Sequence, residues 1–247
     1  MKIVVLVKRV PDTETKVKVA GKSLDPAGVN YILNPYDEFA IEEAILLKEK
    51  HGGETIVMSV GNKDCTKEIR TALAMGVDAG VLLEAETNFC DAWSLAGAIA
   101  KKLADMKPDL VLLGKQAVDD DNTALGQYLA EKLGLPCVTV AVALEINGTK
   151  ATAERQIEGG REKVEFSLPA VVTCQKGLNT PRYASMKGIM MAKKKTVEEV
   201  AVKLDAPKTR IASMELPPPR PEGRIVGEGP DAVPALITAL RSEAKVI

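Results

Sequence analysis

The sequence predicts an α/β protein: a doubly wound, mostly parallel sheet with an antiparallel extension and a C-terminal arm. Apolar, β-rich runs recur at 2–7, 55–60, 80–84 and 109–113, separated by helical patterns, and four such alternations make a parallel sheet. Hydrophobic residues make up 46% of the chain and aromatic ones only 3%, so the apolar content is aliphatic, as strands covered by helices require. After Pro136 the texture changes to alternating strands with turns at Asn147-Gly148 and Gly159-Gly160, which gives the antiparallel extension.

Each element follows from local chemistry. Lys2 to Val7 is the first strand. Asn34-Pro35 opens the first helix, Asn34 as a good N-cap and Pro35 at the first helical position, with Asp37 and Glu38 placing negative charge on its first turn. Ile41, Ala44, Ile45 and Lys48 follow at helical spacing, and Gly52-Gly53 ends the helix. A second helix runs from about Asp64 to Met75, with Ile69 and Leu73 inward and Gly76 as its stop. The third, Asp91 to about Met106, carries Trp93, Leu95, Ile99 and Leu103. The run Leu110 to Leu113 ends at Gly114. A polar loop follows, and a fourth helix opens at Asn122-Thr123, with Leu125, Leu129 and Leu133 on one face and Gly134 and Pro136 closing it. Strands are expected at 137–145, 150–157 and 162–175, then a loop rich in Met and basic residues from Gly177 to Lys195. Pro217-Pro218-Pro219-Arg220-Pro221 stiffens a tail that cannot continue a helix, and a helical pattern from Asp231 to Ala244 follows. The expected division is 1–176, an α/β domain; 177–195, a loop; and 196–247, the arm.

Composition excludes several function classes. A chain of 247 residues suits one large domain with an appendage. A net charge of −1 with both signs interspersed argues against a nucleic-acid partner. No apolar run approaches membrane-spanning length and no export signal is visible, so the expectation is no membrane insertion and a cytoplasmic, bacterial location. Cys65, Cys90, Cys137 and Cys174 are far apart and read as small buried hydrophobes rather than metal ligands. The sole histidine, His51, sits at a helix end that favours a cation, so no Ser-His or Cys-His pair is expected.

The stretch Asp109 to Pro136 carries the most chemistry. A buried parallel strand, a loop at its carboxyl end and a helix N-terminus build the usual place for a nucleotide in an α/β sheet. The loop holds Asp119, Asp120 and Asp121, and carboxylates repel phosphate. Their side chains can point away to cap the loop or to bond a ribose, while N–H groups from Asn122 to Gly126 face the anion. Three elements ending on one sheet edge could enclose a ligand: Leu6 to Lys8, Asn34 to Asp37, and Ala117 to Tyr128.

The wording of that loop, GKQAVDDDNTALGQ, resembles the nucleotide-binding stretch of the β subunit of electron-transfer flavoprotein. A second stretch, ERQIEGGREKVEFSLPAVVTC from Glu154 to Cys174, matches the pattern by which that family is recognised. The resemblance covers residues 1–200, with 201–247 matching as a variable arm. It implies a buried AMP at the sheet edge, held by Leu6, Asn34, Pro35, Tyr36, Asp37 and Val60. The rest of that site would be Ala117, Val118, Asp119, Asp120, Asp121, Asn122, Thr123, Ala124, Leu125, Gly126, Gln127 and Tyr128. Bifurcating relatives, which hold a second FAD there, read Asp-Gly-Asp-Thr where this chain has Asp119-Asp120-Asp121-Asn122, so the resemblance favours AMP.

The segment Leu178 to Met191 resembles the family's recognition loop, with Arg182, Tyr183, Met186, Ile189 and Met190 as docking residues. Met and Ile side chains adapt to several partners, and Arg182 and Lys187 would steer them. Met186 stands where the anchor is usually Leu, and Met191 where some members carry a modifiable lysine. Lys8-Arg9-Val10-Pro11-Asp12 resembles the loop that approaches the partner subunit's FAD, with Thr13 where some members place a Tyr. The implied protein is an electron carrier, not an enzyme: the small subunit of a heterodimer whose α subunit holds most of the FAD. It would take electrons from acyl-CoA and related dehydrogenases and pass them to a quinone-linked oxidoreductase. Two rivals remain. A nucleotide-hydrolysing enzyme needs a glycine-rich phosphate loop, and none follows Val7, Val60 or Leu113. A homodimeric nucleotide sensor has no use for the Met-rich loop and proline-led arm.

Overall fold

The computed structural model describes residues 1–88, 90–220 and 222–247; Pro221 of the proline-rich tail lies outside them. It divides into two units, Met1–Met214 and Glu215–Ile247. In the first unit the elements run β1 (Lys2–Leu6), β2 (Arg9–Pro11), β3 (Val19–Ala20), β4 (Ser23–Leu24), β5 (Tyr31–Leu33), α1 (Pro35–His51), β6 (Glu54–Gly61), α2 (Thr66–Met75) and β7 (Ala79–Glu84). Then follow α3 (Ala92–Met106), β8 (Leu110–Gly114), α4 (Leu125–Leu133), β9 (Cys137–Asn147), β10 (Lys150–Ile157), β11 (Gly160–Ser167), β12 (Ala170–Cys174), α5 (Met186–Ala192) and β13 (Val197–Ala201).

Nine strands form the main sheet in the order β11-β10-β9-β12-β8-β1-β6-β7-β13. Every neighbouring pair from β9 to β13 is parallel; β10 pairs antiparallel with both β9 and β11. Helices cover both faces, because successive side chains of a strand point to opposite sides. Ile3, Val5 and Val7 join Ile41, Ile45, Ile69 and Leu73 of α1 and α2, while Val4 and Leu6 join Ile99, Leu103 and Leu129 of α3 and α4. From β1 the chain builds outward through β6 and β7, then returns to β8 on the other side of β1. The strand order reverses between β1 and β8, the switch point at whose carboxyl ends open α/β sheets form their ligand crevice.

Several boundaries differ from the sequence reading. The stretch 162–175 is two strands, not one. Gly160–Ser167 lines the antiparallel edge, whereas Ala170–Cys174, every residue buried, inserts in parallel between β8 and β9. Pro169 has no N–H to give a ladder and separates them. The expected arm does not begin at 196: Val197–Ala201 pairs in parallel with β7, and the first unit continues to Met214. Helix α3 begins as expected, with the Asp91 side chain accepting from Ser94 N in a capping box, but Trp93 and Leu95 are only half buried. Its packed face is Ala96, Ile99, Ala100 and Leu103. Cys65 and Cys174 are core residues; Cys90 is half buried and Cys137 exposed, so small-hydrophobe burial does not describe all four.

In β9, Val140 adopts φ +59°, a strained value for a β-branched residue, where the register with β12 shifts. Its N–H donates to Thr173 Oγ1 at 2.9 Å, and the Thr173 methyl group packs where a Cβ on Gly126 of α4 would lie 2.5 Å away. Thr173 therefore fixes both the bulge and the close seating of α4.

In the second unit, a helical stretch runs from Pro230 to Ala244, close to the expected 231–244, and none of its residues is buried. Leu216, Ile225, Val233, Leu236 and Ile237 are exposed, Ile225 by 85%.

Thr173→Val keeps the methyl group and removes the hydroxyl, leaving the Val140 N–H unpaired. It should destabilise the first unit by about 1–3 kcal/mol in urea unfolding. An unchanged midpoint would mean that Thr173 does not hold the bulge.

Candidate functional site

The crevice between β1 and β8 is organised around Asp37, in the first turn of α1 and 5% exposed. Its carboxylate accepts from Lys8 N at 2.7 Å, Gly114 N at 3.0 Å and Asn34 Nδ2 at 2.9 Å. The first donor follows β1, the second ends β8 and the third precedes α1, so one side chain ties three elements together. Gly114 is needed for this closeness, since a Cβ there would lie 2.7 Å from Tyr36 Cβ. Burial pushes the Asp37 carboxyl up to about 7, against the pull of those three donors and of the Lys8 ammonium group.

Asn34 occupies the N-cap position but forms no cap hydrogen bond. Its amide instead donates to Asp37 Oδ1 and to the Gln116 carbonyl, both at 2.9 Å, and its Oδ1 accepts from Val118 N at 3.2 Å. The cap reading from sequence is corrected accordingly: the side chain reaches across to the loop after β8. Pro35 is at the start of α1, as expected.

The three aspartates of that loop are turned to neighbouring side chains and backbone. Asp119 and Asp120 accept from Lys8 Nζ at 2.8 and 3.2 Å, Asp120 Oδ1 also accepts from Asn122 N at 3.0 Å, and Asp121 accepts from the Gln116 amide. Burial would lower the Lys8 amine, but the carboxylates of Asp119 and Asp120 outweigh it and hold it above its ordinary value. Helix α4 begins at Leu125 rather than Asn122, because Thr123 and Ala124 form a turn and Asn122 Oδ1 accepts from Ala124 N at 3.2 Å. The Asn122 and Ala124 N–H groups are thus engaged locally. The donors left to an anion are those of the first helical turn, Leu125, Gly126 and Gln127, which have no intrahelical partners. This donor set, beside Lys8, fits the chemistry of a phosphate.

The structure brings the expected residues to one sheet edge. Leu6 ends β1, Val60 lies near the end of the adjacent β6, and Asn34 to Asp37 and Ala117 to Tyr128 flank the crevice. Two have other duties as well. Gly126 is required by Thr173, and Tyr128 meets Trp93 of α3 edge to face, ring centroids 5.8 Å apart. Gln116 and Gly114 were missing from the expected set, and Lys8 stood in it only as the end of the Leu6–Lys8 element. Lys8 follows the first strand directly, but nothing local signals that its partners lie 111 and 112 residues further on.

A second feature lies on the α1–α2 side. Met186–Ala192 forms α5, capped by Ser185, whose Oγ accepts from Gly188 N at 3.0 Å. It presents Tyr183 (98% exposed), Met186 (78%), Ile189, Met190 and Met191 to solvent. Arg182 is not a steering charge: its guanidinium is paired with Glu42 and Glu49 of α1, which hold it protonated well above its ordinary range. In the first loop, Arg9 pairs with the buried Glu68 at 2.7 Å and lies 4.4 Å over the Tyr31 ring. No helix among the described residues is long and apolar enough to cross a membrane.

The family model described as "Electron transfer flavoprotein domain" matches residues 22–205. The "Electron transfer flavoprotein subunit beta" of Bacillus subtilis (strain 168) is 44% identical over 100% of both chains. The protein of that description from Syntrophomonas wolfei subsp. wolfei is 42% identical over 94% of this chain and 92% of its own. The one from Bos taurus is 42% identical over 96% of each.

Asp37 makes stability depend on pH in a stated direction. Its native carboxyl titrates at about 7 and its unfolded one at 3.8. Between these values the native state holds a proton that the unfolded state has lost, so this contribution is complete below the unfolded value and is lost as pH rises to about 7 and beyond. Asp37→Asn should abolish that slope and, by leaving a buried N–H without an acceptor, destabilise the fold by about 1–3 kcal/mol. Urea unfolding at several pH values reads both effects, and an unaltered slope in the variant would remove Asp37 as its source.

Proposed function

The chain belongs to the electron transfer flavoprotein family as a β subunit, and on that premise we propose that it is the small partner of a heterodimeric electron carrier. The larger α subunit holds most of the FAD, which when bound supplies the redox chemistry. This chain retains a structural AMP, contributes part of the flavin surroundings and docks the enzymes that deliver electrons. Those donors are acyl-CoA and related dehydrogenases, and the acceptor is a quinone-linked oxidoreductase. It catalyses no turnover of its own, and the cytoplasm is where it acts.

The observation that carries this reading is the surface of α5 and its lead-in. Tyr183 and Met186 are exposed by 98% and 78% with Met190 beside them on a capped helix, an arrangement suited to entering a pocket on another protein. Met186 serves as the apolar anchor, its flexible thioether taking the place of the usual Leu.

For the nucleotide, the N–H groups of Leu125 to Gln127 receive the phosphate. The pairing of Asp119 and Asp120 with Lys8 and of Asp121 with Gln116 supports AMP by reducing the acid repulsion at the site. A second FAD in this place is the alternative, and it is separated by analysis. Denaturing the purified heterodimer and chromatographing the supernatant should yield about one AMP per β chain by this structural-ligand reading. Two FAD per heterodimer and no AMP would replace the assignment.

Met186→Ala should weaken reduction by a cognate acyl-CoA dehydrogenase roughly thirty-fold, while the flavin spectrum and reduction by dithionite stay unchanged. Parallel loss of enzymatic and chemical reduction would make the residue structural. The second unit, whose helical residues bury nothing of their own, packs on the α subunit. Deleting residues 215–247 should reduce co-purification of α and its flavin; a stoichiometric, fully flavinylated complex after deletion would count against that role.

A further inference from the structure

We propose that Glu42 and Glu49 of α1, both outside the docking segment, are positioning residues that set its affinity for electron-donating enzymes. The inference rests on the docking role of Met186 proposed above. Glu42 is 4% exposed and receives Arg182 through four hydrogen bonds: its Oε2 accepts the backbone N–H at 3.0 Å and Nε at 2.9 Å, and its Oε1 accepts from Nε at 3.0 Å and Nη2 at 2.9 Å. Glu49, about two turns along the same helix, accepts from Nη1 at 2.7 Å and Nη2 at 3.2 Å. A guanidinium bound by two carboxylates and fixed through its own main chain has little freedom. Asn179 adds a third tie, donating to Phe39 O at 3.0 Å and Glu43 Oε2 at 2.9 Å.

The far end of the segment is fastened to α2. Arg70 Nη1 donates to the carbonyls of Ala192 at 2.6 Å and Lys195 at 2.7 Å, and Gly188 lies so close to the Ala74 carbonyl that any Cβ would collide with it. Tyr183 follows Arg182 directly, and Met186 lies between the two fastenings. A surface held in this way loses little freedom when a partner binds, and cutting that loss is how a preorganised site gains affinity. Releasing the Arg182 end lets Tyr183 and Met186 wander, so the anchor's contribution falls although the anchor is intact.

The test uses the reconstituted heterodimer with a purified acyl-CoA dehydrogenase and its acyl-CoA substrate, measuring KM for the flavoprotein and kcat separately. Glu42→Gln, Glu49→Gln and Arg182→Lys are each made alone and together with Met186→Ala. Releasing the clasp should raise KM about ten-fold with kcat, flavin content and dithionite reduction unchanged. In the Glu42→Gln background, Met186→Ala should have an effect of no more than about three-fold, because the two changes act on one device. An unchanged KM in both glutamate variants, or full additivity with Met186→Ala, overturns the proposal. So does a parallel loss of flavin and chemical reduction in all three clasp variants, which would make the clasp merely structural. If Glu42→Gln alone fails to assemble, Glu49→Gln and Arg182→Lys decide by the same criteria. Met186→Ala without effect in the wild-type background would instead remove the docking reading, and this inference with it.

Discussion

The organisation of this protein depends on a single buried carboxylate. Asp37 accepts from the chain leaving β1, the chain leaving β8 and the amide of Asn34, and so ties these three together. The requirement runs in both directions. The strands must end beside each other, which the β1–β8 register arranges, and residue 114 must lack a Cβ, which glycine supplies. A carboxylate so far from water is there at a cost, visible in its raised pKa, and it persists because three donors would otherwise be left buried and unpaired.

Helix α1 carries that constraint across the molecule. Its first turn closes the crevice at the sheet edge, and Glu42, Glu43 and Glu49 further along fix the segment from Asn179 to Arg182. Buried acids on a helix are otherwise a liability; here each has a partner. The same economy explains the acidic loop after β8. Three consecutive aspartates would oppose an anion; Asp119 and Asp120 share the Lys8 ammonium group and Asp121 accepts from the Gln116 amide, which offsets part of that opposition.

The sheet was legible in the sequence wherever local pattern and tertiary context agree. The four apolar runs are β1, β6, β7 and β8, Gly76 ends α2, and α3 starts beside Asp91, since each depends on neighbours within a few residues. The readings that failed all turn on distant partners. Asn34 looks like a cap and is instead drawn to Gln116 and Val118, 82 and 84 residues away. Arg182 looks like a steering charge until Glu42 is seen beside it, 140 residues back. Val197–Ala201 is too short and too polar at Glu198 and Glu199 to declare itself, because an edge strand beside β7 needs only Val197 and Val200 inward. Residues 162–175 read as one strand since the alternation of β11 at Val164 and Phe166 leads straight into the apolar run of β12, and only the topology shows that the first lies at the sheet edge and the second inside it. The site residues at the crevice came from family resemblance; the ties that place them, through Lys8, Gln116 and Gly114, came from the structure.

Two apolar surfaces remain, and their mounting differs in a way that matches the partners proposed for them. The Tyr183–Met191 face is small and rich in Met, and its helix is fastened at both ends to α1 and α2. Fixed backbone with adaptable side chains allows a modest contact to form and dissolve repeatedly, as an exchangeable electron donor requires. The helical stretch from Pro230 to Ala244 buries none of its residues, and with Leu216 and Ile225 its unit exposes a longer series of aliphatic side chains. A helix of that kind has no core of its own to sustain it, since short helices in water rely on packing for stability. Such a segment is stable only with a lasting partner, which is the place of the α subunit in the proposed heterodimer. Permanence and exchange are thus assigned to different parts of the chain by the degree to which each is supported from within.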